Sequence, residues 1–528
     1  MPNPAKLRKK VEKLISDVSI VLQAQQRYVE EPGSKAKNEM KKPRAETLDE
    51  LQADIKELRP FEAKLIAIQK DEPRIAIADT AEARAQGFVN FKQWMLTNAP
   101  DSLLGEKYDF DYHVEEGCGV VAMCDLKEEE VFLKVPRKLA MSSDTCLDSA
   151  VGAVVKNDNM CLSMPSLALA LHLLVEGLDE KSFWKPYINV LPPLQRLSLP
   201  MLFSDAQLSG LQGSPTLYEA LKLQKSTLRQ YIYLQKLLKN TGFRNKIPSF
   251  NYNDFRWAVS VVMTRQNQIP RVDNPEQGCI ALLPAFDFLN YRTGPVLTYF
   301  NDQNNCTETA AMRATKKGEP LYIHYGGRPN SKLFLFSGFV TGDHPEDSVE
   351  LSLHVATDEK ADPILKLRKM MLTKLGMTLT QAFSFPDCVE GDPSSQQALM
   401  SFCRIATMDR AVATVLLTNP KGPGAKARIN ATNEYAALSF LATALQTQLA
   451  GYGSTQQEDV TALAAVRQSI LAAGESKVST NSSMPNDHLA SRLCIEMRMS
   501  ERVILGRCEQ AVAAAVELAK VEMELEQM

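Results

Sequence analysis

The chain has 528 residues, 45% hydrophobic and 23% charged, with a formal net charge of −3. That length exceeds what one hydrophobic core can serve, so two or three domains are expected, and the composition argues against long disorder. The near-balanced charge supplies no global field for nucleic acid, and no nucleic-acid partner is expected.

Lys6, Arg8, Lys9, Lys10 and Lys13 open the chain without an apolar run behind them, unlike a secretory signal. Helical spacing follows twice, at Val11, Leu14, Ile15, Val18 and Leu22 and at Leu48, Leu51, Ile55 and Leu58. Residues 31–37 between them form a breaker-rich polar linker, and the two helices read as a brace. From about residue 104 the texture changes to short strands, Gly117-Cys118-Gly119-Val120-Val121-Ala122 and Glu130 to Pro136 among them. A helical block spans roughly 141–255, and strand texture returns over 279–325. One β unit in two pieces is expected, interrupted by a helical insert.

The longest apolar stretch, residues 167–175, is far short of the roughly 20 residues a membrane span requires, so no membrane partner is expected. The final four residues lack the cysteine of a prenylation signal. Beyond residue 340 the chain is alanine-rich and helical, with candidate helices over 363–375, 396–408, 433–449, 459–473 and 487–526. Loops at 419–424 and 476–485 punctuate them.

Ten cysteines and six histidines contain no C-x-x-C pair and no H-x-x-x-H pair. A zinc site needs four converging ligands, usually in close pairs, so no metal is expected and the thiols read as reduced and buried. Gly117-x-Gly119-x-x-Ala122 formally fits a dinucleotide fingerprint. That turn must open a helix whose N-terminus meets the pyrophosphate, whereas here a charged turn and a strand follow.

A more specific block runs Met263-Thr264-Arg265-Gln266-Asn267-Gln268-Ile269-Pro270, then Leu282-Leu283-Pro284-Ala285-Phe286-Asp287-Phe288-Leu289-Asn290-Tyr291. It closes with Tyr322-Ile323-His324-Tyr325-Gly326 and Phe336-Ser337-Gly338-Phe339. Each piece alone has a bland reading: Arg265 as a surface ion pair, Asp287 as a helix cap, Tyr325 as a core edge. In this order they resemble the C-terminal half of a SET domain, and Glu116-Gly117-Cys118-Gly119 resembles its N-terminal half. The insert, with Ser182-Phe183-Trp184-Lys185-Pro186-Tyr187-Ile188, resembles that of the Rubisco large-subunit methyltransferase class. Within that class, residues 263–270 are similar to the actin-histidine methyltransferase family.

The resemblance implies an α+β fold: an N-terminal helical segment (1–100), a β-rich SET domain with its insert (101–340) and an all-α substrate-binding domain (341–528). It implies S-adenosylmethionine as cofactor and one methyl transferred to the tele nitrogen of a histidine, with actin as substrate. Arg84 and Arg265 would grip the cofactor carboxylate through charge-assisted hydrogen bonds. Glu116, Cys118, Asp287, Asn290, Tyr291 and Ser337 would complete the cofactor site. Phe286, Ile323 and Arg328 would line the substrate pocket. Tyr325 matches the catalytic tyrosine, and Asn267 would orient the acceptor imidazole. Two departures bear on the pocket: the family has Asn-His where this chain has Asn290-Tyr291, and Trp where it has Phe286. His324 takes a slot that is commonly Phe, and alternation on a strand turns it away from Tyr325, toward solvent or the insert. A monomer in the cytoplasm, with access to the nucleus open, completes the expectation. Two other readings stay open: a lysine methyltransferase, and a non-catalytic scaffold, against which intact Arg265, Asn267, Asp287, Asn290 and Tyr325 argue.

Overall fold

A computed structural model describes residues 4–27, 46–75, 77, 79–114, 117–342, 344–355, 362–386, 396–418, 424–473 and 487–528. The linker expected at 31–37 and the loop expected at 476–485 lie outside the described residues, as do Cys388 and most of the 419–424 loop.

Among the described residues, ten strands build the β region. Four precede the insert: β1 (Tyr108–Val114), β2 (Gly117–Ala122), β3 (Val131–Pro136) and β4 (Met141–Ser142). Six follow it: β5 (Asn267–Pro270), β6 (Gly278–Leu282), β7 (Asn290–Tyr291), β8 (Thr298–Asn301), β9 (Cys306–Ala310) and β10 (Pro320–Ile323). They pair in the orders β1-β2-β10-β7, β3-β9-β8 and β4-β6-β5. Every one of these sheets takes strands from both sides of the insert, so the two pieces are a single fold unit. β7 runs parallel to β10, with Asn290 opposite Tyr322 and Tyr291 opposite Ile323.

The insert is helical, and its central helix is apolar all round, as a helix enclosed by a core is. In the Pro165–Leu178 helix, proline begins the first turn and Leu167, Leu169, Leu171, Leu173 and Leu174 are buried. The Thr216–Asn240 helix gives the brace its anchor. There Lys225 Nζ lies 2.6 Å from Asp54 of the Leu48–Gln69 helix, both side chains being buried. That helix starts at a capping box made by Thr47 and Glu50.

The Ala81–Asn98 helix begins at the Thr80 cap and buries Phe88, Phe91 and Met95 completely. Phe88 and Phe91 pack on Phe110 of β1 and on Phe288, with ring centroids 5.4 to 5.9 Å apart. This aromatic cluster fixes the helix against the central sheet and thereby places Arg84.

The C-terminal unit has the expected helices, at Leu365–Lys374, Gln397–Thr407, Ala431–Ala450, Gln456–Ala473 and Asp487–Gln527. It is not purely helical. β11 (Ser348–His354) pairs antiparallel with β12 (Thr380–Pro386), burying Val349, Leu351, Leu353, Phe383 and Phe385 on one face. Those alternating apolar positions are a half-buried strand pattern of period two.

The 41-residue final helix ties the units together. Its first turns meet the insert through Gln207 and Asp487 at 2.7 Å, and its later turns pack on the Ala431–Ala450 helix. Midway, the fully buried Glu501 carboxylate accepts from Ser214 Oγ, Thr216 Oγ1 and Tyr452 OH at 2.7 to 2.9 Å. Burial nevertheless pushes this carboxyl up to about 7, with Asp347 adding to the rise. The folded chain therefore holds a proton here that the unfolded chain, with an ordinary glutamate pKa of about 4.3, has released. Stability from this group is complete below about pH 4.3 and is lost as pH rises through 7, with a slope of at most about 1.4 kcal/mol per pH unit. Glu501→Gln is expected to flatten this decline in urea unfolding across that window. Identical pH profiles for the two proteins would remove Glu501 as the titrating group.

Candidate functional site

The Tyr252–Arg265 helix ends where Gln266 turns extended and leads into β5. Its last residue, Arg265, reaches back to the segment that joins β6 to β7. Arg265 Nη1 donates to the Asp287 carbonyl at 2.7 Å and lies 3.5 Å from Asp287 Oδ2, while its guanidinium sits 4.8 Å over the Phe288 ring. Ala285 adopts a left-handed φ of 73° just before this turn. With ψ at −45° it lies outside the left-handed helical well, in a sparsely populated region that costs a residue with a Cβ about 1–3 kcal/mol, so the surroundings impose it.

The Asp287 side chain is wholly shielded from solvent. Tyr187 of the insert donates a hydrogen bond to its Oδ2, and Oδ1 has no hydrogen-bond partner. Burial raises the carboxyl above its usual range, and Arg265 and the Tyr187 hydroxyl pull it back. The Tyr187 hydroxyl is itself raised far above normal, first by burial and then by the Asp287 charge. Asp287 thus fixes Arg265 and joins the insert to the β region.

Arg84 comes from the Ala81–Asn98 helix to the same place. Its charge is disfavoured by burial first, then by Arg196 and, more weakly, Arg265, while Cys118 and Asp79 favour it. Its Nη1 is buried with no hydrogen-bond partner. Burial pushes the Cys118 thiol up to about 11 although both guanidinium groups act to lower it. From β7, Asn290 Nδ2 donates to the Cys118 carbonyl at 3.3 Å. Two cations held near one another, one with an unsatisfied buried donor, fit a ligand carboxylate. S-adenosylmethionine presents that group; Arg84 and Arg265 would hold it, with Cys118 and Asn290 beside them.

Tyr325 follows β10, and its hydroxyl donates to the Leu289 carbonyl at 2.9 Å. Its ring packs on Tyr291 and Phe339, with centroids 5.4 and 6.3 Å away. The next residue, Gly326, turns the chain at φ 88°. Asn267, half-buried at the start of β5, donates from Nδ2 to the Arg265 carbonyl at 3.0 Å. Ile323 is buried beside Tyr291 in the parallel pair, and Phe286 is buried in the turn before Asp287. Ser337 ends the Asn330–Ser337 helix, two residues before Phe339. Arg328 is exposed and meets this region through its carbonyl, which accepts from His344 Nε2 at 2.6 Å. Glu116 lies outside the described residues.

His324 differs from expectation. It faces neither solvent nor the insert: its side chain is 7% exposed, lies 3.2 Å from Glu346 and packs on Tyr291 with centroids 5.8 Å apart. Strand alternation does turn it from Tyr325, but residues 344–347 cover that face. Sequence reasoning also missed the roles of Tyr187, Phe288, Phe339 and the Leu289 carbonyl. Tyr187 stood in the insert pattern, yet nothing local announces a partner 100 residues away.

With this geometry in place, comparison with known proteins identifies the family. The actin-histidine N-methyltransferases of Canis lupus familiaris and Homo sapiens are each 30% identical to this chain over 458 residues, 84% of it and 71% of theirs. The chain belongs to the actin-histidine N-methyltransferase family. A family model described as Rubisco LSMT substrate-binding matches residues 359–505. The LSMT SET domain bound to lysine and AdoHcy superposes with a TM-score of 0.65 at 20% identity, covering 84% of this chain and 93% of that one. Rubisco LSMT bound to AdoMet gives 0.64 at 21% identity, with the same coverage. The expected SET fold with a C-terminal substrate-binding unit therefore holds, as does the methyltransferase class, with a protein as substrate.

Arg265→Ala is expected to weaken S-adenosylmethionine binding by about 1.5–3 kcal/mol, the range for hydrogen bonds to charged groups. It also leaves the Asp287 carboxylate without its counter-charge, which costs about 3–5 kcal/mol of stability in a buried pair. Arg265→Lys keeps the charge but not the planar fork, so it should recover more stability than affinity. Calorimetry and thermal melts read the two effects separately. Unchanged cofactor affinity in a folded Arg265→Lys protein would take Arg265 out of the carboxylate site.

Proposed function

We propose that this chain is an S-adenosylmethionine-dependent protein-histidine N-methyltransferase that modifies the tele nitrogen of a histidine in actin. Family membership gives the reaction class, and the set of the Asn267 amide carries the choice of acceptor. Because a carbonyl can only accept, Asn267 must turn Nδ2 toward the Arg265 carbonyl, which leaves Oδ1 as an acceptor. A neutral imidazole offers one N–H, and its other nitrogen holds the lone pair. Oδ1 accepting the N–H of the remote nitrogen selects the tautomer whose lone pair is on the tele nitrogen.

The cofactor, when bound, supplies an electrophilic methyl group on a sulfonium. The chain supplies position and charge. Arg84 and Arg265 anchor the carboxylate end. The Tyr325 hydroxyl, spent as a donor on the Leu289 carbonyl, presents lone pairs as a weak C–H acceptor, and the carbonyls nearby do the same. The acceptor needs no base to activate it: with a reference pKa of about 6.5, imidazole is mostly neutral at physiological pH, whereas lysine at about 10.4 must first lose a proton. The buried Phe286 and Ile323 give the pocket apolar walls, which keep water from the reacting atoms.

Tyr325→Phe is expected to fold, to bind cofactor as the native protein does and to lose most methyl transfer. Loss of the Leu289 bond costs only about 1 kcal/mol of stability. Full activity in this variant would remove the hydroxyl from the mechanism.

Asn267→Ala is expected to lower transfer to a histidine peptide far more than it lowers cofactor binding. The lost bond is worth about 1–3 kcal/mol, or roughly five- to 150-fold in rate. With wild type, transfer to histidine should level off once pH passes about 6.5, while a lysine peptide should react weakly and faster as pH rises. Mass spectrometry of actin and of matched peptides decides the matter. Preference for the lysine peptide at neutral pH, or an intact rate in Asn267→Ala, would overturn the histidine reading.

A further inference from the structure

The turn that carries Tyr325 is gripped from outside by the segment leading into the C-terminal unit. His344 Nε2 donates to the Arg328 carbonyl at 2.6 Å. His324 Nε2 lies 3.2 Å from Glu346 Oε2, and a Cβ added at Gly327 would stand 3.3 Å from Glu346 Oε1. Asp347 accepts from the Asn330 backbone N–H at 2.8 Å and from its side-chain amide at 2.7 Å. Residues 344–347 thus touch positions 324, 327, 328 and 330, on both sides of Tyr325-Gly326. Ser348, the next residue, opens β11.

Carbonyls and carboxylates only accept, so in both histidines Nε2 carries the hydrogen. Each Nδ1 is buried without a hydrogen-bond partner. A single polar bond therefore orients each imidazole, and packing does the rest. Both rings pack on Tyr291, with centroids 5.8 and 6.3 Å away, and Tyr291 packs on Tyr325. The turn itself contains Gly326 and Gly327 and has little intrinsic stiffness. Something outside it must set its conformation.

We propose that His324 and Glu346 are positioning residues for methyl transfer, locking the Tyr325 turn to the leading edge of the substrate-binding unit. The inference rests on the methyltransferase reading of the site. A misplacement of about 1 Å costs up to about a hundredfold in rate, so a turn left to its glycines would not hold Tyr325 well enough. Through this clamp the unit that docks the protein substrate also sets the catalytic tyrosine.

The test uses the full chain with His324→Phe, Glu346→Ala, both together, and Glu346→Gln. Phenylalanine keeps a ring against Tyr291 and removes only the imidazole nitrogens. Hydrogen exchange over residues 322–330, followed by mass spectrometry, is expected to speed up several-fold in His324→Phe and in Glu346→Ala. On actin, kcat should fall about tenfold in each, with KM and cofactor affinity within about twofold. The double variant should lose no more than either single one, since both remove the same bond. Glu346→Gln, which keeps an acceptor for Nε2–H, should recover most of what alanine loses. Unchanged exchange in His324→Phe, or losses that multiply in the double variant, would overturn the clamp. Should wild type fail to methylate actin, the functional reading falls while the exchange measurement still decides the clamp.

Discussion

A carboxylate with no access to water must have its charge met inside the protein, and at Asp287 the structure meets it from two sides. Arg265 approaches from the end of the Tyr252–Arg265 helix, and Tyr187 donates from the insert. Burying the pair is expensive in itself, and removing one partner is worse, by about 3–5 kcal/mol. The two partners leave Asp287 Oδ1 without a hydrogen bond, so they balance the charge without saturating the group. Specificity is what the arrangement gains. Arg265 can occupy one place only, and with it the start of β5, Asn267 and the nearby Arg84 are set.

The rest of the architecture delivers groups to that fixed point. Arg84 depends on Phe88 and Phe91, which seat its helix against Phe110 and Phe288. Cys118 and Asn290 depend on the central sheet, whose order β1-β2-β10-β7 draws on both halves of the chain. Tyr325 depends on β10 and on residues 344–347. The long final helix closes the arrangement through Glu501 and through Asn330, whose side chain bonds both Asp347 and Ser500 of that helix. A protein substrate docked on the C-terminal unit is thus within a few covalent and hydrogen-bonded links of Tyr325.

What could be read in the residues beforehand follows the range of the physics involved. The insert and the C-terminal helices were legible because helical periodicity is local; the Asp487–Gln527 helix begins at its expected residue and ends one beyond it. The split β unit was legible because short strands bracketed a helical block. The β11–β12 pair was overlooked although its alternation at Val349, Leu351 and Leu353 and at Phe383 and Phe385 is local; the expectation of an all-α unit overrode it, and only the pairing itself, across 25 residues, lies beyond local pattern. Arg265, Asn267 and Tyr325 could be singled out through motif resemblance, which carries tertiary information that periodicity lacks. His324 was misplaced for the converse reason. Alternation along a strand gives the face a residue points to, but not what covers that face.

Tyr291 and His324 are better understood together than separately. Both bear on one parallel strand pair: Tyr291 opposes Ile323, the residue just before His324, and the two rings pack at 5.8 Å. Tyrosine at 291 keeps a flat apolar face against Tyr325 and Phe339 while its hydroxyl meets Thr293 Oγ1 at 3.2 Å. The imidazole at 324 then supplies, from just past the end of β10, a polar ring beside the same aromatic cluster. Phenylalanine at 324 would fill the space but leave Glu346 with no ring N–H, and histidine at 291 would bring a third imidazole among His324 and His344. Together they present an aromatic face toward Tyr325 and a hydrogen-bonding ring toward the substrate-binding unit.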